Sequence, residues 1–177
     1  MIINPAEHPY SDVYKLLIGS IVPRPIGWIS SRSVDGVLNL APYSFFSAVC
    51  SKPPIVLFST VVRRDGSTKD SLENVKATKE FAVNIVSEEL VERMNATSAD
   101  VAPDVDEFAL AGLTPIPCDL IGAPRVKEAK ITMECSLVNV VTFGEGPGSG
   151  ATAFGEVLRF HIEDSLFHNF RIDPDVL

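Results

Sequence analysis

Thirteen prolines and eleven glycines cut this 177-residue chain into apolar runs too short for long helices, and that punctuation limits the fold more than any other feature. The runs between them are rich in β-branched and aromatic residues, so the sequence predicts a mostly β architecture. Ile26-Gly27-Trp28-Ile29-Ser30-Ser31 reads as a strand entered through the stiff Val22-Pro23-Arg24-Pro25 segment, and Asp35-Gly36 marks a hairpin after it. Residues 38–50 read as one element interrupted only by Pro42. Pro53-Pro54 ends it, and residues 55–60 form a compact buried strand ahead of the loop Arg63-Arg64-Asp65-Gly66-Ser67.

A helix is predicted over 70–78 with Leu72 and Val75 inward, followed by a strand over 81–86. Ser87-Glu88-Glu89 opens a second helix with Leu90, Val91 and Met94 inward, and residues 104–111 give a third, stopped by Gly112. Residues 114–124, with three prolines, read as an irregular loop. Two long strands, 130–143 and 153–162, close the chain around a glycine-rich connection at 144–150. So many strands would expose many edges unless the sheet closes. A small barrel with peripheral helices, one domain over 1–177, is the expected assembly.

Composition narrows the function. A hydrophobic content of 46% belongs to a folded globule. A net charge of -8 with pI ≈ 4.8 argues against a nucleic-acid partner, since nothing basic clusters beyond Arg63-Arg64. The amino end shows no cationic stretch followed by an apolar run, and no apolar segment is long enough to cross a bilayer, so a soluble, cytoplasmic protein is expected. Cys50, Cys118 and Cys135 show no C-x-x-C pair and read as buried free thiols, with no disulfide framework and no zinc site.

The chemistry concentrates at Lys69-Asp70-Ser71-Leu72-Glu73-Asn74. Asp70 is an expected N-cap, and Glu73 can complete a capping box, leaving other first-turn N–H groups free. With the helix dipole, the Ser71 hydroxyl and the Lys69 ammonium, they would converge on an anion; an ordinary capped helix with a solvated lysine is the alternative. Other motifs fail. Gly146-Pro147-Gly148-Ser149-Gly150-Ala151 leads into a strand and not a helix, so it is no dinucleotide fingerprint, and no Walker loop, nucleophile elbow or His-Glu-x-x-His occurs. Of His8, His161 and His168, His161 beside Arg159 is the candidate for touching a substrate; a hydrogen-bonded surface histidine is the alternative.

Six strings in order now bear on identity: Pro23 to Ser30, Asn39 to Phe46, Lys69 to Asn74, Glu80 to Ile85, Asp106-Glu107-Phe108 and Gly155-Glu156-Val157. Together they resemble the flavin reductase-like proteins with an FMN-binding split barrel, over nearly the whole chain. The resemblance implies a six-stranded Greek-key β-barrel with peripheral α-helices, a homodimer and one flavin per subunit. It implies that Lys69, Asp70 and Ser71, with Asn74 behind them, receive the FMN phosphate. Asn39, Ala41, Pro42, Tyr43, Ser44 and Phe45, with Ser30, would lie along the ring and ribityl chain, with Pro42 freeing the backbone from regular pairing. Arg24 would be a second cation and Ser59 a neighbour at a strand end. The implied activity is hydride transfer from NADH or NADPH through FMN to free flavin or another small acceptor; an FMN-binding electron-transfer or storage protein without nicotinamide turnover is the alternative. Members commonly continue into a segment with an Arg, paired glycines and a Tyr, whereas this chain ends at Asp173-Pro174-Asp175-Val176-Leu177; either a flavin more open on its substrate side or a truncated or divergent member with altered activity is expected.

Overall fold

The computed structural model describes residues 1–175 and 177; Val176, in that closing segment, lies outside the described residues. The elements run α1 (Tyr10–Ser20), β1 (Gly27–Arg32), β2 (Leu38–Tyr43), β3 (Phe46–Ser51), β4 (Pro54–Val61), α2 (Asp70–Thr78), β5 (Glu80–Asn84), α3 (Val91–Ala96) and α4 (Glu107–Leu110). They continue with β6 (Pro115–Pro117), β7 (Pro124–Val126), β8 (Ile131–Phe143), β9 (Gly150–Ile162), β10 (Phe167–His168) and β11 (Arg171–Ile172). Seven strands form one antiparallel sheet in the order β2-β1-β5-β8-β9-β4-β3.

β2 and β3 stand at opposite borders of that sheet yet are consecutive in the chain, separated only by a bend at Ser44 and Phe45. One continuous run therefore supplies both borders, and the sheet curls into a split barrel. Residues 38–50 are one bent strand, and counted so the barrel has six. The expected interruption is misplaced, however: Pro42 stays in register opposite Trp28. A border strand tolerates it, because a missing N–H there need not face a partner. The break falls at the bend, where the Phe45 carbonyl accepts from the Ser59 N–H at 2.9 Å.

The barrel interior is apolar. Tyr43, Phe58 and Phe81 meet in tilted and edge-to-face contacts with ring centroids 5.1 and 5.2 Å apart, packed by Ile29, Val83 and Met133. β1 is buried on both faces, because a second core of Trp28, Leu40, Leu90, Phe108, Leu113 and Val126 covers its outside. The Trp28 indole N–H donates to Thr97 Oγ1 at 2.9 Å there, so its polar atom is satisfied.

α2 spans the residues predicted and buries Leu72 and Val75. Its cap differs from expectation. Lys69 occupies the N-cap position, no side chain caps the helix, Asp70 is the first helical residue, and Glu73 pairs with Lys76 at 3.1 Å. The second helix opens as a 3-10 turn, Glu88–Leu90, without a Ser87 cap bond; Leu90 is buried and Val91 is exposed. The third is shorter than read, since the Asp106 carboxylate caps it by accepting from the N–H groups of Phe108 and Ala109. The 114–124 stretch is not wholly irregular: its β6 forms an ordered ladder with β7, which begins at its last residue. Cys135 is buried and Cys118 partly so, but Cys50 is exposed on β3, which corrects the expectation of three buried thiols. α1 is an element the sequence reading missed: Pro9 precedes it without a side-chain cap, and none of its residues is buried. Among the described residues no helix is long and apolar enough to cross a membrane.

Candidate functional site

A polar network spans four elements where α2 meets the barrel. Asn39, buried on β2, accepts from the Ser71 hydroxyl at 2.6 Å and the Ser31 hydroxyl at 3.2 Å, and its own Nδ2 donates to Glu107 Oε1 at 2.9 Å. Glu107 Oε2 accepts from the Leu40 N–H at 3.0 Å, and Asn74 Nδ2 donates to Ser31 Oγ at 3.2 Å. Burial pushes the Glu107 carboxyl up, against the pull of the Leu40 and Asn39 donors; burial likewise pushes the Tyr43 phenol up to about 12.

Above this network opens a cleft of ≈ 70 Å³. Ala41, Pro42 and Tyr43 form one side, Lys69, Asp70 and Ser71 the second, and the 97–101 segment with Glu107 the third. Two cations stand at its mouth. Arg63 Nη2 donates to Asp70 Oδ2 at 2.9 Å, its Nε donates to Asp100 Oδ1 at 2.9 Å, and its Nη1 holds the Thr68 carbonyl. Lys69 Nζ reaches the same Asp100 oxygen at 3.3 Å, and this hydrogen bond, with the two positive charges, holds the Asp100 carboxyl below its usual range. Arg63 and Lys69 also line a far larger groove of ≈ 1140 Å³, bounded by Tyr10, Tyr14 and Leu17 of α1, by Phe45 and by Val61. The cations thus sit at the junction of a small polar cleft and a broad aromatic groove.

Asn39, Ala41, Pro42, Tyr43, Lys69, Asp70 and Ser71 line the cleft, and Phe45 lines the groove. Asn74 supports the network from below. The remaining candidates are employed elsewhere. Arg24 caps the far end of α1, its Nη1 donating to the carbonyls of Ile18 at 2.6 Å and Ile21 at 2.8 Å. Ser30 donates to the Pro124 carbonyl at 2.6 Å inside the fold, Ser59 shares a hydrogen bond with Thr152 at 2.8 Å, and Ser44 lies at the strand bend. His161 and Arg159 are not brought to the cleft; they lie toward the end of β9 remote from Gly150, where His161 meets Glu134 and Arg159 meets Asp119. Ligand atoms of Asp119, Glu134 and His161 all fall within 4.8 Å, but the Glu134 oxygens already accept from the N–H groups of Asp119 at 2.8 Å and Leu120 at 2.7 Å.

Sequence reasoning passed over Arg63, Asp100, Glu107 and the α1 aromatics as site residues. A signal existed for some: Arg63 belongs to the sole basic pair, and Tyr10, Tyr14, Leu17 and Ile18 recur at helical spacing. Asp100 carried none, because its role arises only where the 97–101 segment folds back over α2.

The model of the flavin reductase like domain matches residues 18–172. The chain belongs to the flavin reductase-like family. Similar proteins include one from Aquifex aeolicus, 46% identical over 154 residues, which covers 87% of this chain and 76% of that one. Among solved structures, nitrilotriacetate monooxygenase component B from Bacillus cereus is 42% identical with a TM-score of 0.92, covering 97% of this chain and 86% of that chain. The 2-nitrobenzoate 2-nitroreductase of Pseudomonas fluorescens is 28% identical with a TM-score of 0.88, covering 100% and 85%. Family membership makes this a split-barrel oxidoreductase whose chemistry involves a flavin. The residues present fit the phosphate end of such a nucleotide: two cations, an uncapped helix N-terminus and a hydroxyl face a cleft too small for a ring, and an aromatic groove adjoins it.

Proposed function

We propose that the protein is an FMN-dependent oxidoreductase that takes electrons from NADH or NADPH and delivers them to free flavin or another small acceptor. One observation carries this reading: Arg63 and Lys69 line both the phosphate-sized cleft and the ring-sized groove, as a cofactor with an anionic tail and a planar head requires. Bound flavin supplies hydride acceptance and onward electron transfer. The chain's own part is to bind and orient. Arg63 and Lys69 would hold the phosphate dianion by exchanging their carboxylate partners for it, and the N–H groups of Asp70 and Ser71 at the start of α2 would add the positive end of the helix dipole, those of Leu72 and Glu73 being taken by the Lys69 carbonyl. Asn39 holds Ser71 in place, and the hydroxyl rotor of Ser71 can turn to the anion without loss of the fold. Phe45 and the α1 aromatics would give the ring an apolar wall in the groove they line.

A homodimer belongs to the same proposal. β3, β8 and β9 leave Val49, Val138 and Leu158 exposed, with Phe143 at the far end of the β8–β9 ladder, apolar side chains that suit contact with a second subunit. The test begins with colour. Purified protein should be yellow or become so with added FMN, and anaerobic NADH or NADPH should bleach it. Retained colour without bleaching favours a flavin carrier, and failure to take up FMN overturns the proposal.

A further inference from the structure

Three buried side chains, Glu107, Asn39 and Ser71, carry one line of hydrogen bonds from α4 to the small cleft, and its polarity runs against an anion. Glu107 Oε1 accepts from Asn39 Nδ2 at 2.9 Å, which turns the other end of that amide, Oδ1, toward Ser71. The Ser71 hydroxyl therefore points its hydrogen at Asn39, across 2.6 Å, and offers the cleft only lone pairs. Turning that hydrogen to a phosphate while Asn39 stays as it is would leave two buried oxygens facing each other with no proton between them.

Reversing the Asn39 amide removes the conflict. Its Nδ2 then donates to Ser71 Oγ and releases the Ser71 hydrogen, while its Oδ1 needs a donor at Glu107 Oε1. Only a proton on that carboxylate oxygen supplies one. Glu107 Oε2 accepts from the Leu40 N–H at 3.0 Å in either state, so the proton has one place to go. Ser31 loses its acceptor in the reversal, but Asn74 lies 3.2 Å from it, and the side-chain amide of Asn74 makes no other hydrogen bond among the described residues. Asn74 can thus turn its own oxygen to Ser31.

The charges around Glu107 favour the same step. Burial pushes its carboxyl up, and Asp70 across the cleft adds to that. Tyr43, Arg63 and Lys69 also line the cleft, Asp100 bridges the two cations, and Asp106 on Glu107's own element spends its carboxylate on the helix cap. A phosphate dianion placed among these groups strengthens the hold of Glu107 on a proton, as any like charge does.

We propose that Glu107 is a positioning residue: as a phosphate enters the cleft it takes up a proton on Oε1, and through Asn39 it turns the Ser71 hydroxyl from the fold to the anion. This rests on the reading of the cleft as the FMN phosphate site. FMN binding is thereby linked to proton uptake by the protein.

Calorimetric titration of the full chain, stripped of flavin, with FMN at about pH 7 in buffers of different ionisation enthalpy counts the protons taken up. About half a proton or more per FMN is expected, and none with riboflavin, which lacks the phosphate. Glu107→Gln fixes the reversed state, because the Leu40 N–H claims the new amide oxygen and leaves Nε2 to donate to Asn39. It should abolish the uptake and tighten FMN by about tenfold at about pH 8, read by flavin fluorescence, with riboflavin affinity unchanged. A Ser71→Ala background separates the relay from simple repulsion of the phosphate by Glu107: there the Gln substitution should give no gain. FMN bound without proton uptake, FMN not tightened by Glu107→Gln, or a gain that persists without the Ser71 hydroxyl would overturn the relay and leave the FMN reading standing. Protein that takes up no FMN overturns both.

Discussion

Arg63 and Lys69 share one oxygen of Asp100, at 2.9 and 3.3 Å, so the two cations that face the small cleft are held together by a carboxylate that an incoming phosphate would replace. Asp100 is two-thirds exposed, which makes the exchange inexpensive: the surface pair it gives up contributes little, and the carboxylate regains its water.

Removing that competitor should tighten anion binding. Asp100→Asn is expected to raise FMN affinity about two- to fivefold, the worth of an exposed ion pair, as measured by quenching of flavin fluorescence. Unchanged affinity would show that Asp100 stays in place when the nucleotide binds.

Removing a cation should do the reverse. Lys69→Ala deletes a charge-assisted contact of about 1.5–3 kcal/mol and should weaken FMN by tenfold or more, while riboflavin, which lacks the phosphate, should bind both proteins alike.

The polar network beneath the cleft is structural as well as functional. Asn39→Leu would leave the hydroxyls of Ser31 and Ser71 and one Glu107 oxygen without their partner in a buried place. A loss of about 3 kcal/mol in urea unfolding is expected, with Tm lowered by roughly 2–4 °C for each kcal/mol.

Inside the barrel, Gly155 faces Phe81 so closely that a Cβ would meet its ring at 2.4 Å. Gly155→Ala should cost about 1–3 kcal/mol through overpacking, and Phe81→Leu in the same chain should recover part of it, because the two changes act on one space. Strictly additive losses would argue against a shared contact.

Acid stability should report on Glu134. Burial would raise its pKa, but the N–H groups of Asp119 and Leu120 and the His161 imidazole outweigh burial and hold it below the usual 4.5. The folded protein thus binds this proton more weakly than the unfolded chain, so the contribution is present above about pH 4.5 and is lost as pH falls below it. Glu134→Gln should lower Tm at neutral pH and flatten the acid limb of the stability profile.

The strands and α2 were legible because their signals are local: Leu72 and Val75 at helical spacing, Asp35-Gly36 at a hairpin, Pro53-Pro54 at a boundary. The cleft was legible in part for the same reason, since Lys69, Asp70 and Ser71 are contiguous. What escaped depends on distant partners. Asp70 looks like a cap in isolation, but Arg63 seven residues earlier takes its carboxylate. Ser30 and Arg24 read locally as ligand contacts, but their side chains bond the Pro124 carbonyl and the end of α1, partners that only the fold brings near. α1 escaped for another reason: it has no capping residue, and its apolar face is not buried in the core.

The bend at Ser44 and Phe45 has a consequence for self-association. Because a single stretch of backbone furnishes both rims of the sheet, a proteolytic nick at that corner would untie the two border strands from each other and let each rim move away from the other, on a protein already rich in β-forming sequence. Keeping that corner intact therefore guards the molecule against edge-to-edge aggregation as well as shaping the small polar cleft.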